Sequence, residues 1–275
     1  MIPSQEGISG SGGGAMGIER TGLTPAVSLS VYGRMQPRRA LGVAAETGFG
    51  AVGIPAWRGD LSPRGLGESG RRDLGAFLRR NGLALSWLSA GARGRFTVAG
   101  GVQEDVDVLT GILGMAHVLR PGAVTAGLGA LGPANSEAES NAREALQVVC
   151  EAAEAAGTRL ALWSTAGEFE AVERLLESLP GAPAGILFDP GEILFSGRDP
   201  VERAASCRDA AAVRASDSDA ERKDLAPGEG RVPWRDVLAS LSARGYHGFV
   251  TVDFAAHPRA DRAAARALDV LKRAV

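Results

Sequence analysis

Short apolar runs of strand length recur along this chain, and helical periodicity fills the stretches between them. The runs lie at Val27–Val31, Ala51–Pro55, Leu83–Leu88, His117–Leu119, Arg159–Trp163, Gly185–Phe188, Ala211–Ala215 and Phe249–Val252. Most are continuously apolar rather than alternating, as expected of parallel strands covered on both faces. Ser136-Glu137-Ala138-Glu139 reads as a capping box: the serine accepts from the third helical N–H and the glutamate reaches back. Ala142, Ala145, Leu146, Val149, Cys150 and Ala153 then hold one helix face until Gly157 supplies a left-handed stop. Asp199-Pro200 offers another cap, with proline at the first helical position. Eight strands alternating with helices predict an α/β chain folded as a single (β/α)8 TIM barrel. An open doubly wound sheet needs a glycine-rich turn after its first strand. Here that strand runs into Tyr32-Gly33-Arg34-Met35-Gln36-Pro37, which is no such turn.

The barrel is assigned to residues 25–275. Residues 1–24 are assigned to a disordered tail, because positions 4–17 read SQEGISGSGGGAMG. A chain of 275 residues that is 45% hydrophobic can bury one large core. Its formal net charge of −2 gives no basic field to attract nucleic acid. No apolar run approaches the roughly 20 residues that span a bilayer. The N-terminus lacks a basic segment followed by an apolar one, so neither a membrane partner nor a secretory leader is expected. Cys150 and Cys207 fall in separate helical patterns. They suit a reduced, cytoplasmic protein better than a disulfide framework. GxSxG, HExxH and CxxC motifs are absent from the sequence.

In a barrel the C-terminal strand ends gather at one mouth. The predicted ends are Arg120, Trp163, Asp189 with Glu192 three residues on, Arg214 with Asp217, and Asp253. A carboxylate closing a buried strand is poorly placed for packing and well placed for chemistry. Each residue also has a plainer reading. Asp189, before Pro190-Gly191, suits a turn. Arg214, if buried, needs a partner such as Asp189 or Asp253. Trp163 fills core or presents a flat face to a sugar. Glu192 caps or pairs, or else moves protons. Glu229, in a Pro-Gly-Glu-Gly loop, fixes that loop or faces substrate. Asp217 supports a neighbour or meets solvent. Arg120 pairs with an acidic neighbour or holds an anionic group. His117 and His247 are expected at the opposite end, which leaves His257 as the histidine able to reach the mouth.

Four segments carry a resemblance: Leu160–Thr165 (LALWST), Ile186–Pro200 (ILFDPGEILFSGRDP), Ala212–Asp217 (AVRASD) and Ala226–Phe254. They resemble the xylose-isomerase-like TIM barrels, which are sugar isomerases and epimerases, and the likeness is strongest after Arg159. The resemblance implies a divalent cation, Mn or Mg, held by Glu, Asp, His and Glu from strands five to eight. Such a cation polarises a sugar carbonyl while carboxylates exchange protons through an enediolate. Asp189 stands at the aspartate position and Asp253 at the last glutamate position. Trp163 takes the first glutamate position, Arg214 the histidine position, and Glu192 the histidine of the usual Pro-Gly-His. Tryptophan cannot ligate a metal, and arginine keeps its proton. Glu168 and Glu170 follow the fifth strand and either replace the missing carboxylate or sit at the positive end of a helix dipole.

The resulting expectations are specific. Asp253 and Glu192 are the catalytic candidates. Trp163, Arg214, Arg120 and Glu229 are the substrate-binding candidates. Asp189, Asp253 and Asp217 are the metal candidates. The ligand is a small-molecule carbohydrate or polyol, with sugar phosphates included. The chain reads as an isomerase or epimerase whose remodelled site works with or without metal. The alternative is a non-catalytic binding or regulatory barrel derived from that family.

Overall fold

The apolar runs become the staves of a closed barrel. In the computed structural model, which describes residues 22–91, 95–98, 100–165, 167–255, 257 and 259–275, eight parallel strands pair in sequence order. These are β1 (Thr24–Ser28), β2 (Ala51–Pro55), β3 (Ala84–Ser89), β4 (Ala123–Gly127), β5 (Leu160–Trp163), β6 (Ala184–Phe188), β7 (Ala210–Ala215) and β8 (Phe249–Val252). β8 closes on β1 through pairs such as Ala26 with Thr251. Helices α1 (Pro37–Thr47), α2 (Glu68–Arg80), α3 (Val102–Leu119), α4 (Glu137–Ala156), α5 (Phe169–Glu177), α6 (Pro190–Phe195), α7 (Pro200–Ser206), α8 (Trp234–Ala243) and α9 (Ala260–Ala274) lie between or after the strands.

Local sequence accounts for the helix ends. The Ser136 hydroxyl accepts from the Glu139 N–H at 3.1 Å, and Gly157 ends α4 at φ 64°. Glu139 reaches back to the Asn135 N–H, one residue beyond the expected partner, and also binds Arg174. Asp199 caps α7 through the Val201 N–H at 2.8 Å. The expected first strand shifts: the chain leaves β1 at Ser28 and makes a 3-10 turn over Leu29–Tyr32. The N–H of Thr24 donates to the Gly248 carbonyl, so the barrel begins one residue before the assigned boundary. Of the assigned tail, residues 1–21 lie outside the described residues.

The fourth strand corrects the sequence reading. His117-Val118-Leu119 is the last turn of α3, and the strand follows at Ala123–Gly127. Arg120 is the left-handed cap between them, at φ 52°. It therefore stands before β4, at the opposite end of the barrel from the mouth.

Two packing regions decide where space remains. Outward-facing Val27, Ile54, Leu88, Val124, Leu162, Phe188, Val213 and Val252 pack against the helices in one continuous core. The barrel interior instead holds Ala26, Ala51, Ala123, Ala161 and Ala212, with Trp87, Leu187 and Phe249 as its larger members. Barrel interiors are usually filled by bulky branched residues. Small residues here leave cavities at both ends, and the Trp87 indole lines both. Trp87 fits because β2 carries Gly53 opposite it, where a Cβ would overlap the indole.

Candidate functional site

The C-terminal mouth is a cavity of about 610 Å³. β6 ends in Asp189, whose carboxylate caps α6 through the Glu192 N–H at 3.1 Å. It also accepts the Ser216 hydroxyl at 2.6 Å and Arg214 Nη1 at 2.7 Å. Gly191 permits this approach, since a Cβ there would overlap Ser216. Arg214 projects from β7 and is shared further. Its Nη2 lies 2.8 Å from Asp224 Oδ1, and its Nε lies 3.5 Å from Asp253 Oδ2. Asp253, past the end of β8, takes the Ser30 hydroxyl on its other oxygen at 2.5 Å, and Ser28 bonds Ser30 at 2.6 Å. Three carboxylates thus surround one guanidinium. Burial alone lowers the Arg214 pKa, but the charges of Asp189, Asp253 and Asp224 outweigh it and raise the group above its ordinary value.

The other mouth charges are also partnered. Glu168 accepts the Leu131 N–H at 2.6 Å, the Gly132 N–H at 3.0 Å and the Ser164 hydroxyl at 2.8 Å. Burial pushes its carboxyl up. The two backbone N–H groups, Ser164 and Arg174 prevail and hold it below the usual glutamate range. Glu168 therefore ties the loop after β4 to the end of β5. Lys223 approaches Glu192 at 3.8 Å, and Arg198 bonds Glu170 at 2.7 Å. Trp57, Trp163, Phe169 and Phe254 supply apolar wall.

Of the residues singled out in the sequence, Asp189, Glu192, Trp163, Arg214 and Asp253 meet in this cavity. Asp217, Glu229 and Arg120 are not among its lining residues. Asp217 is 1% exposed, and its oxygens accept from the N–H groups of Ser218, Gly228 and Val232 and from Trp234 Nε1. Its place is under the β7–α8 loop, which it stitches together. Glu229 bonds Arg266 at 2.5 Å and stands 4.0 Å from His257 Nε2. His257 does not line the mouth and faces Phe254 edge-on.

Sequence reasoning missed Asp224, Ser28, Ser30 and Ser216. Asp224 sits in a polar loop at φ 55°, ten residues after its arginine partner, with no strand end to mark it. The two serines sit where β1 turns into its 3-10 segment, a boundary that the apolar pattern places too late.

A metal does not fit these side chains. Trp163 and Arg214 offer no lone pair in two of the four ligand positions, and the guanidinium already lies within bonding distance of Asp189. Among the described residues no group of three or more His, Cys, Asp or Glu is arranged to hold a metal ion.

A family profile described as xylose isomerase-like TIM barrel matches residues 41–274. The chain belongs to that family. Three solved structures share the fold. A xylose isomerase domain protein from Planctomyces limnophilus superposes with a TM-score of 0.78 at 18% identity, covering 92% of this chain and 96% of that one. A D-tagatose 3-epimerase-like protein gives 0.76 at 20% identity, covering 92% and 97%. D-allulose 3-epimerase from a Methylomonas species, crystallised with D-allulose, gives 0.73 at 16%, covering 92% and 97%. At these identities the likeness speaks for the fold. No curated protein sequence matches the chain. No helix among the described residues is long and apolar enough to cross a membrane.

Proposed function

We propose that this sugar isomerase/epimerase-like barrel binds a small uncharged carbohydrate or polyol at its mouth, without a divalent cation. One observation carries the reading. The Arg214 guanidinium, 2.7 Å from Asp189, 2.8 Å from Asp224 and 3.5 Å from Asp253, fills the centre of the ligand positions that the family motif supplies. The charge balance then selects the ligand. Glu168, Asp189, Glu192, Asp224 and Asp253 line the cavity against Arg198, Arg214 and Lys223, five anions to three cations. A phosphorylated sugar meets net repulsion there. Carboxylate edges that accept hydroxyls, beside the indoles of Trp57 and Trp163, suit a neutral polyhydroxylated ring.

The same balance bears on catalysis. An enediolate needs uncompensated positive charge beside it, and Arg214 is already shared by three carboxylates. The favoured reading is therefore binding. A second reading, metal-free epimerisation, draws on Asp253 and Glu192 lining one cavity, with the Ser28–Ser30 hydroxyl chain leading a proton to or from Asp253.

Thermal shift with a panel of free ketoses, inositols and inososes, repeated with EDTA and with Mn²⁺, tests the first reading. Stabilisation that chelator leaves unchanged supports it. Stabilisation that appears with Mn²⁺ and vanishes with EDTA overturns it. Incubating the binding sugar in D2O separates the two readings. Binding alone leaves the carbon-bound protons in place. Deuterium that enters the sugar with wild-type protein and not with Asp253→Asn selects epimerisation.

A further inference from the structure

The mouth cavity has two unlike arcs. Among the described residues, every charged side chain that lines it except Glu168 belongs to β6, β7, β8 or the segment following one of them. Asp189, Arg214, Asp224 and Asp253 stand on that arc. Because β8 closes on β1, the Ser30 hydroxyl on Asp253 extends it. The arc from β2 to β5 presents Pro55, Trp57, Trp163 and Phe169 instead. All four are partly exposed. Trp163, at the end of β5, borders both arcs.

Polar groups on the β2–β5 arc are largely committed to the scaffold. The Glu168 carboxylate accepts the Leu131 and Gly132 N–H groups and the Ser164 hydroxyl. That hydroxyl also lies 3.0 Å from the Gly129 carbonyl. The Ser89 hydroxyl accepts from the Gly91 N–H at 3.1 Å, and Thr125 is 3% exposed. Thr165 is the exposed hydroxyl residue of this arc. A sugar ring laid here loses water from its hydroxyls and regains few hydrogen bonds. An aryl or alkyl group carries no such cost and gains from leaving water.

The aromatic side chains of this arc are braced by their own neighbours. The Arg58 guanidinium lies 4.1 Å from the centre of the Trp57 ring. Gly91, at φ 75°, runs so close that a Cβ there would overlap the indole. Phe169 has the Arg203 guanidinium 4.3 Å from its centre and Phe188 edge-on at 5.9 Å. Walls fixed in advance leave little ordering to be done on binding. A cavity of about 610 Å³ falls in the range for drug-sized ligands, and one sugar ring does not fill it. We infer that the mouth takes a neutral sugar or polyol bearing an apolar substituent, such as an aryl or alkyl glycoside. The polyhydroxylated part faces the β6–β1 arc, and the substituent lies against Trp57 and Phe169. This inference rests on the carbohydrate reading of the mouth and narrows its ligand class.

Calorimetry on the full chain tests it. The probes are the methyl and phenyl pyranosides of glucose, galactose and mannose, the free sugars, the disaccharides cellobiose and lactose, and phenol. For at least one sugar the phenyl glycoside should bind about tenfold or more tightly than its methyl partner. Its heat-capacity change should be more negative, a reading that needs no variant. Trp57→Ala should cut the phenyl-to-methyl ratio to about threefold or less, and Trp57→Phe should restore it. Reading the ratio cancels any effect of the substitution on the sugar part. Methyl and phenyl glycosides that bind equally overturn the inference and leave the carbohydrate reading standing. So does a disaccharide that binds more tightly than the phenyl glycosides, or a ratio unchanged in Trp57→Ala. Phenol that binds as tightly as its glycosides, or no binding by any sugar or glycoside, overturns both.

Discussion

The two ends of this barrel handle buried polarity in opposite ways. At the C-terminal mouth Arg214 is divided among three carboxylates, Glu168 takes three hydrogen bonds, and Asp217 beneath takes four. Toward the N-terminal end Ser86 and Thr251 keep buried hydroxyls that no described residue satisfies. The first arrangement is closed on itself: removing one member leaves a charge stranded. The second is open, and removing a member relieves a cost. Interdependence, rather than the number of polar groups, sets how much each side chain matters.

Arg214→Met breaks the contrast most severely. It strands Asp189, Asp224 and Asp253 and should lower unfolding free energy by about 3–5 kcal/mol in urea titration. A loss below about 1 kcal/mol would mean that the cluster behaves as a surface ion pair. Glu168→Gln should cost about 2 kcal/mol at neutral pH, because a carboxylate accepting three hydrogen bonds becomes a neutral amide. The sign with pH follows from its depressed folded pKa. The stabilisation is complete above the unfolded value near 4.5 and fades as pH falls through the folded value, so wild type and variant should converge in acid. Convergence on the alkaline side would contradict the assignment.

Trp163→Ala should weaken the carbohydrate binding proposed for the mouth by about 0.5–1.5 kcal/mol, as read by calorimetry. Thr251→Val is the smallest change and the sharpest foil to Arg214→Met. Its stability should stay within about 0.5 kcal/mol of wild type or rise, since an unbonded hydroxyl is exchanged for a methyl of similar shape. A clear loss would show that the Thr251 hydroxyl is bonded after all.

What the sequence reveals follows from the same physics. β2 and β8 are legible to the residue, because Gly50 and Pro55 delimit Ala51–Pro55, while Gly248 and Asp253 flank Phe249–Val252. β4 is not. Ala123–Gly127 reads AVTAG, too small and polar to signal a strand, whereas the HVL that closes α3 imitates one. Mistaking it also carried Arg120 to the wrong end. Asp189, Arg214 and Asp253 are legible because a charge that interrupts an apolar run at its end has few structural excuses. Asp224 is invisible in a loop already rich in acids, and only tertiary proximity singles it out. Ser86 is hidden for a different reason: a one-residue bulge reverses which face a side chain occupies and leaves no trace in composition.

The guanidinium at the centre of the mouth belongs to the polypeptide. Every folded molecule emerges from the ribosome already carrying this positive charge, in fixed one-to-one proportion. It cannot leave during dialysis, be swapped for a competing ion, or vary with what the surroundings supply. The charge on this guanidinium is thus set by the gene.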